Sequence, residues 1–352
     1  MVSVPFSGSL TATTGRPTLE LTLGSAGPDD WGAVVLSVSV AAGLAPAVDA
    51  VELVVAAAAG APSASVGDAC DVAFGYDGST ATVFTGEVRT LRRSVYGRTR
   101  ITATNGGALL AALRLNQSYE KQTAGDVVRD LAGQAGANTD TLTPGIDLPF
   151  YALDDRRNAY EHVAALALLS NCLAFFTPAG GLSFAPHTPG PPAQKFSYGS
   201  EVLELEATEA AALVAAATAA GEGAAGSKGP DAWSWLLKDI APVSATAGSG
   251  SPERLLAEGA LRSRAGAEAA AKGRLAAAGL TDVTGRALVP GAPAVTVGST
   301  IQIAAAPEPE LNGPFLAREL QHRFSKRGGF TTLVVFSKAG GGGPGGLPGG
   351  LL

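Results

Sequence analysis

The stretch DRRNAYEHVAALALLSNCLAFFTPAGGLSFAP, residues 155–186, carries three structural signals in succession. Asn158 and Glu161 have the spacing of a capping box, in which each side chain accepts a hydrogen bond from the other residue's backbone N–H. The apolar residues that follow recur at three- and four-residue steps, which predicts a helix. The aromatic run at 173–176 then predicts a strand, and two glycines permit a tight reversal into a second strand. The stretch is therefore predicted to be a helix followed by a hairpin.

Towards the N-terminus, residues 10–104 consist of short alternating apolar runs separated by Gly, Pro and Asp. This pattern is typical of strands joined by tight turns. Asp77 followed by Gly78 predicts a hairpin, and two further strands are expected around Gly97. A helical segment closes this all-β block.

Three helical or mixed segments follow. Thr123 and Asp126 are predicted to cap a helix that Gly136 ends. Residues 252–275 give the clearest helical pattern of the chain, ending by residue 279. The alanine-rich residues 207–221 are compatible with a helix or a strand, and we favour the strand.

Composition limits the classes of function. The 352 residues include 46 Gly and 22 Pro and are only 16% charged, which favours short strands over a helical bundle. The net charge of −6 does not attract a polyanion, so nucleic acid is not expected as the primary ligand.

The chain starts with MVSVPFSGSL, which lacks the basic and apolar regions of a secretory signal, and it has no long apolar window. A cytoplasmic protein without a membrane span is expected.

An internal repeat is the most informative feature of the sequence. Val66, Gly67, Asp68 and Phe84 are echoed by Val297, Gly298, Ser299 and Phe315, and in both copies the Phe lies 17 positions after the Gly. A basic hairpin follows each copy. These basic side chains are either solvated strand edges or candidate interface or lumen-lining residues, and they are Arg92, Arg93, Arg98 and Arg100 in the first copy and Arg323, Lys326 and Arg327 in the second.

The segment GRALVPGAPAVTVGSTIQIAAAPEPELNGPFLARELQHRFSKRGGFTTLVVF, residues 285–336, resembles the baseplate hub family. This family includes the late control D proteins of contractile phage tails and the hub part of VgrG spikes, and the resemblance covers residues 34–338. It implies a homotrimer whose two related modules per chain form a pseudo-sixfold ring. Such a hub connects the hexameric tail tube to the trimeric spike, with other baseplate components as further partners, in a phage tail or injection particle.

The expected fold class is α+β, mainly β, with two related small β-barrel (tube-like) modules and an α/β helix-hairpin region. No spike domain follows residue 338, so a separate spike protein is expected. The predicted domains are a first barrel module at 1–115, the helix and hairpin region at 116–194, a strand, Gly/Ser linker and Ala-rich helix at 195–282, a second barrel module at 283–339 and a flexible Gly-rich tail at 340–352. Trp233 and Trp235 are expected to anchor the linker.

No catalytic, metal or cofactor site is expected. Gly221, Gly223 and Gly226 satisfy GxGxxG literally, but residues 229–230 are Gly-Pro and would break the helix that a dinucleotide site needs. The three histidines, His162, His187 and His322, do not form a metal-binding motif. The two cysteines, Cys70 and Cys172, are expected to be buried thiols.

The sequence is also compatible with two alternatives to a structural hub. Asp154 and Asp155 are the best paired carboxylates, although their place before a helix already accounts for them. They allow a cell-wall-degrading enzyme of the same particle, which would require a cleft with convergent carboxylates. The other alternative is a monomeric ligand-binding β-protein, which would bind its ligand without forming a ring.

Overall fold

The computed structural model describes residues 15–57, 61–188, 190–211, 214–221 and 243–338. In these ranges the chain is α+β and mainly β, which confirms the predicted fold class. The largest sheet has twelve strands, and three smaller sheets have three, three and two. Closure of the predicted barrels is not detected in the described ranges; their strands instead continue into one another within the large sheet. No described helix is long and apolar enough to cross a bilayer.

The first third of the chain contributes six strands, which we call the first strand set. They are β1 (Pro17–Leu23), β2 (Val35–Gly43), β3 (Ala50–Ala56), β4 (Ala69–Tyr76), β5 (Ser79–Ser94) and β6 (Arg98–Thr104). In space they lie in the order β1-β4-β5-β6-β3-β2, and every adjacent pair is antiparallel. The predicted turns at Asp77, Gly78 and Gly97 are confirmed, with φ of 53°, 83° and 71°.

Helix α1 (Pro28–Val34) interrupts a stretch that the sequence predicts as strands alone. Pro28 sets φ for the first turn, and the two aspartates after it favour the positive end of the helix dipole. Trp31 is buried, and its indole Nε1 donates to the Leu23 carbonyl at 3.3 Å. These end signals and the buried indole outweigh the strand pattern of the flanking residues.

The middle of the chain forms a mixed region around its own core. Its elements are α2 (Gly107–Ala112), β7 (Gln117–Thr123), α3 (Ala124–Ala135), β8 (Thr139–Leu142), β9 (Asp147–Leu153), α4 (Ala159–Leu169), β10 (Leu173–Phe176) and β11 (Leu182–Ala185). The predicted helix-hairpin stretch is confirmed as α4, β10 and β11. Asn158 Oδ1 accepts from the Glu161 N–H at 2.9 Å, and Glu161 Oε2 accepts from the Asn158 N–H at 2.8 Å. The helix capped by Thr123 and ended by Gly136 is confirmed as α3.

The remaining elements form a second strand set and a unit inserted into it. In chain order they are β12 (Gln194–Ser197), β13 (Glu204–Glu209), β14 (Ala216–Gly221), β15 (Val243–Gly248), β16 (Glu253–Ala257), α5 (Arg264–Gly279), β17 (Val283–Pro290), β18 (Thr300–Ala304), β19 (Gly313–Ser325) and β20 (Gly329–Lys338). The inserted unit is the three-stranded sheet of β14, β15 and β16 with helix α5. Trp233, Trp235 and the tail at 340–352 lie outside the described residues.

The inserted unit corrects two expectations. The helix predicted at 252–275 begins only at α5, where Ser263 Oγ accepts from the Gly266 N–H at 3.1 Å, because the preceding residues form β16. Glutamate, arginine and leucine favour a helix locally, but parallel pairing with β14 gives their backbone groups non-local partners. The Gly/Ser linker predicted within 195–282 likewise includes strand β15. The strand favoured within 207–221 is confirmed as β14.

The two strand sets share one topology. The second set lies in the order β12-β18-β19-β20-β17-β13, which matches the first set strand for strand in both chain order and spatial order. One pair differs, because β12 and β18 are parallel whereas β1 and β4 are antiparallel. The Gly67 N–H donates to the Val88 carbonyl at 2.9 Å, and the Gly298 N–H donates to the Ala317 carbonyl at 2.9 Å. Val88 and Ala317 are therefore equivalent, and each is followed by a β-bulge.

The register of the repeat differs from the alignment suggested by the sequence. Phe315 lies opposite Ile301, and the equivalent pair in the first set is Gly86 opposite Cys70. Phe84 is thus two residues away from the position equivalent to Phe315. The equal Gly-to-Phe spacings hide this shift because the β4–β5 hairpin is two residues longer than its counterpart.

Strand β19 joins the two sets. Its first part pairs with β18, and its second part, residues 319–325, pairs antiparallel with β2; we call this β2–β19 pairing the joint. Gln321 Nε2 donates to Ser39 Oγ at 3.2 Å across the joint, and Lys326 Nζ donates to the Ala33 carbonyl at 2.9 Å. The joint makes one sheet of two repeated halves.

An aromatic cluster lies beneath the joint. The ring centroid of Phe74 is 4.6 Å from that of Phe330 and 6.1 Å from those of Phe324 and His322. Phe74 is fully buried, and Phe330 belongs to the core of the first set although β20 carries it. The second strand set therefore contributes a side chain to the core of the first. Elsewhere, Cys70 and Cys172 are free and buried, as predicted, and burial raises the pKa of the Cys70 thiol to about 12.

Replacing Gly273 by alanine is expected to lower the free energy of unfolding by about 1–3 kcal/mol. A Cβ atom at this position of α5 would overlap the Leu168 carbonyl oxygen of α4, so one helix would have to move. Gly133→Ala in α3 is the matched control, since a Cβ there meets nothing within 4 Å. The control should stabilise by up to about 1 kcal/mol through helix propensity. Urea denaturation measures both, and equal effects would contradict the packing described here.

Candidate interface surfaces

Five of the seven predicted basic residues line one surface groove of about 1090 Å³. The groove lies between the tip of the β5–β6 hairpin and the tip of the β19–β20 hairpin, across strands β2 and β3. The basic residues in it are Arg92, Arg98, Arg100, Lys326 and Arg327. The two basic hairpins, far apart in the sequence, therefore share a single positively charged surface.

Like charges face one another within this groove. Arg92 lies directly opposite Arg100 on the neighbouring strand, a cross-strand arrangement that destabilises a sheet. Arg100 Nε is 3.2 Å from Glu52 Oε1, but both side chains are 51% exposed and such pairs contribute little. The arginines thus add positive charge without stabilising the isolated chain.

The other two predicted residues lie elsewhere. Arg93 follows Arg92 in β5 and so emerges on the opposite face of the sheet, where its Nη2 donates to the Ala64 carbonyl at 3.5 Å. Arg323 lines a separate groove of about 360 Å³ that also contains Glu52. Because successive side chains of a strand point to opposite faces of the sheet, Arg92 and Arg93 lie on different faces. This separation could have been predicted from the sequence.

Two of the sheet edges that lack a strand partner in the described part of the chain are the outer edge of β13 and the second half of β5. The edge of β5 is paired with β4 only as far as Glu87, so residues 89–94 are open on that side. The outer edge of β13 is open along its length, because β13 pairs only with β17. Sequence reasoning missed the acidic character of this second edge, which exposes Glu204, Glu206 and Glu209. The alternation of glutamate with Leu205 and Ala207 was the available signal.

Asp154, the first of the paired carboxylates, is held in an ion pair with a neighbouring arginine. Arg156 Nη2 is 2.6 Å from Asp154 Oδ2, and its hydrogen bonds lower the pKa of Asp154 to about 2, so this carboxyl does not hold a proton for acid catalysis near neutral pH. The Asp155 carbonyl accepts from Arg114 at 2.8 Å. His162 is buried between the Tyr151 hydroxyl at 3.3 Å and the Asp154 carbonyl at 3.2 Å. These groups support the loop before α4.

The remaining candidate motifs have structural surroundings where they are described. Gly221 is the last residue of strand β14, while Gly223 and Gly226 lie outside the described residues. His187 is half-buried, and its burial lowers its pKa. Among the described residues, no group of three or more His, Cys, Asp or Glu side chains is placed to hold a metal ion.

Solved structures with this fold come from phage tails and a secretion system. A 43 kDa tail protein of prophage MuSo2 from Shewanella oneidensis superposes with a TM-score of 0.66 at 13% identity, over 92% of this chain and 98% of that chain. A tail protein from Neisseria meningitidis MC58 has the same TM-score and identity, over 92% and 96% of the two chains. The chain therefore has a phage tail protein fold, and the predicted resemblance to tail hub proteins is confirmed at the level of fold.

A third structure extends this likeness. The Escherichia coli c3393 protein, a component of the type VI secretion system with structural similarity to T4 bacteriophage tail proteins gp27 and gp5, superposes with a TM-score of 0.59 at 10% identity. The match covers 94% of this chain and 79% of that chain. Neither a protein-family model nor a curated protein sequence matches the chain.

Proposed function

We propose that the chain is the trimeric hub of a baseplate in a contractile phage tail or a related injection system. In this role it connects a hexameric tail tube to a trimeric spike and works by matching symmetries, without catalysis. The fold shared with tail proteins and a type VI secretion component supports a structural role in such a particle.

The observation that carries the proposal is the repeated topology of the two strand sets. Each set is one module, so three copies of the chain bring six similar modules around an axis, and closed cyclic symmetry is the usual state of homo-oligomers. A ring of six similar modules fits a hexameric tube. The mixed region and the inserted unit occur once per chain, so they repeat three times and fit a threefold spike.

The positively charged groove supplies a contact surface in this proposal. Its five basic side chains and its like-charged pair Arg92 and Arg100 are unfavourable in an isolated chain, and an acidic partner would neutralise them. We assign the groove to contacts within the assembled baseplate. Arg93 and Arg323, on other surfaces, are assigned to contacts between neighbouring modules.

The native mass of the purified chain tests the proposal. A species near three times 35.0 kDa, with six similar lobes around its axis in electron micrographs, is the expected result. A strict monomer at the highest soluble concentration would contradict the trimer and favour a ligand-binding module. Sedimentation velocity over a range of concentrations distinguishes these outcomes.

A further inference from the structure

We infer that, in the trimer, the open edge of β13 in one copy pairs antiparallel with the open part of β5 in the next copy. The inference rests on the proposed function, because it requires a second copy of this chain. It specifies the strands, their register and the charges that select the partner. The joint between β2 and β19 provides the template.

The template follows from the equivalence of the strand sets. Strand β13 occupies in the second set the position of β2 in the first, and β5 occupies in the first set the position of β19. In the joint, the β2-type strand of one set pairs with the β19-type strand of the other. The same pairing carried out once more would place β13 against β5, and on both strands the edge that this pairing needs is open.

The register can be transferred residue by residue. Val40 in β2 pairs with Val51, and Ala207 in β13 pairs with Gly285. Val51 and Gly285 pair in turn with residues of β6 and β20 that occupy the same position in their strand sets. Val40 and Ala207 are therefore equivalent. Val88 and Ala317 fix the alignment of β5 with β19, as established by their backbone hydrogen bonds. The pairs expected between copies are Leu91 with Glu209, Arg92 with Thr208, Arg93 with Ala207, Ser94 with Glu206 and Val95 with Leu205.

The charges of the two edges are complementary in this register. Within the joint, Gln321 contacts Ser39 diagonally across the strands, at 3.2 Å. Their equivalents between copies are Arg92 and Glu206, so the same diagonal position would hold an ion pair. Glu206 also contacts Arg286 at 2.7 Å within its own chain, and that pair is well exposed. A carboxylate has acceptor sites for both arginines.

A second ion pair is expected on the opposite face of the sheet. Arg93 lies diagonally across from Glu209 in the transferred register, on the core-facing side. Sheet edges commonly carry charges that prevent unwanted pairing. Here one edge is acidic and the other basic, so β13 repels a second β13 and accepts β5. This charge pattern favours a head-to-tail contact, the type that closes into a ring.

The apolar residues near the edges fit the same arrangement. Phe324 pairs with Val38 in the joint and packs on the aromatic cluster. Its equivalent, Val95, is 96% exposed in the single chain. The transferred register places Val95 opposite Leu205, close to Leu203, which is 56% exposed. The pairing would cover apolar surface that the single chain leaves in water.

Paired cysteines test the register. The double variant Arg92→Cys with Thr208→Cys is expected to form disulfides between copies under mild oxidation, because directly opposed Cβ atoms lie about 4.5–5.5 Å apart. Since each chain carries both residues, a covalent trimer should appear on a non-reducing denaturing gel. Arg92→Cys with Glu209→Cys is the matched control, in which the second cysteine is moved to the other face and should not cross-link.

The outcomes separate this inference from the proposed function. A wild-type trimer whose Arg92–Thr208 pair fails to cross-link, or cross-links no better than the control, overturns the edge pairing and leaves the hub intact. A wild-type monomer overturns the proposed function, and the edge pairing falls with it. Sedimentation velocity on the wild-type chain is therefore the companion measurement.

Charge reversal supplies a second test that does not depend on oxidation. Glu206→Arg is expected to weaken association of the copies by about tenfold or more, because it would face Arg92. Combining it with Arg92→Glu should restore most of the loss. Glu310→Arg, at an exposed position outside both edges, is the control for net charge and should leave association unchanged. A loss that the second substitution does not restore would contradict the Arg92–Glu206 contact.

Discussion

Replacing Phe74 by alanine is expected to lower the free energy of unfolding by about 3–5 kcal/mol. The side chain is fully buried, and its ring contacts Phe330 and Phe324 from the other strand set. The loss combines the transfer free energy of the ring with the cost of a cavity that rigid strands on both sides cannot fill. The aromatic cluster is therefore expected to hold the two halves of the sheet together.

Urea denaturation at fixed protein concentration measures this effect. Leu255→Ala, at a side chain that is 67% exposed, is the control and should change stability by no more than about 0.5 kcal/mol. A loss below about 1 kcal/mol for Phe74→Ala would contradict the packing described here, since buried aromatic truncations cost several times more. Limited proteolysis of the same variant should detect loosening near the joint.

His322 is expected to make the protein less stable as the pH falls from about 6.5 to about 4. The imidazole is buried among Phe74 and Phe330, and burial lowers its pKa from 6.5 to about 4. The Thr332 hydroxyl, 2.9 Å from Nδ1, already accepts from the Ala292 N–H, which leaves its proton for the imidazole. The neutral ring therefore fits this site.

The sign of the effect follows from proton binding. Between these two pKa values the unfolded chain binds a proton that the folded chain does not. The stability contribution is thus fully present above pH 6.5 and decreases on acidification, by about 3 kcal/mol at the lower limit. Asp49 acts in the opposite direction, because burial raises its pKa to about 7 and its contribution is lost as the pH rises.

Comparison with His322→Gln isolates the histidine. Glutamine can retain a hydrogen bond to Thr332 and does not titrate, so the difference in unfolding free energy between the two proteins should depend on pH between about 4 and 6.5. Denaturation midpoints measured across this range, with equal slopes, give the difference. A pH-independent difference would show that the ring takes up its proton freely in the folded state.

Local chemistry was sufficient to predict the elements with strong end signals. The capping boxes at Asn158 and Thr123 and the Asp77–Gly78 turn each satisfy their backbone groups within a few residues, so the sequence alone determines them. The mainly β class followed from the frequency of such turns. The strand at Glu253–Ala257 could not be predicted, because its hydrogen-bond partners lie in β14.

Register and edges also depend on distant residues. The equal spacing of Gly67 to Phe84 and of Gly298 to Phe315 suggested an alignment that is wrong by two positions in its second half. A shift of two preserves which face a side chain occupies, so burial of both phenylalanines gave no warning. The basic hairpins were found because like charges cluster in the sequence. The acidic residues of β13 could not be recognised as an edge from the sequence, because only the structure shows that β13 is the last strand of its sheet.

The joint has a consequence for how a ring of this chain would assemble. Of the six contacts between modules in the proposed ring, every second one forms while the chain folds, between partners tethered at high effective concentration. Only the three contacts between chains then depend on encounter in solution, and only these respond to dilution, salt or charge reversal. A nearly sixfold ring would thus contain two kinds of contact in alternation. Contacts within a chain persist on dilution, whereas contacts between chains form and dissociate reversibly.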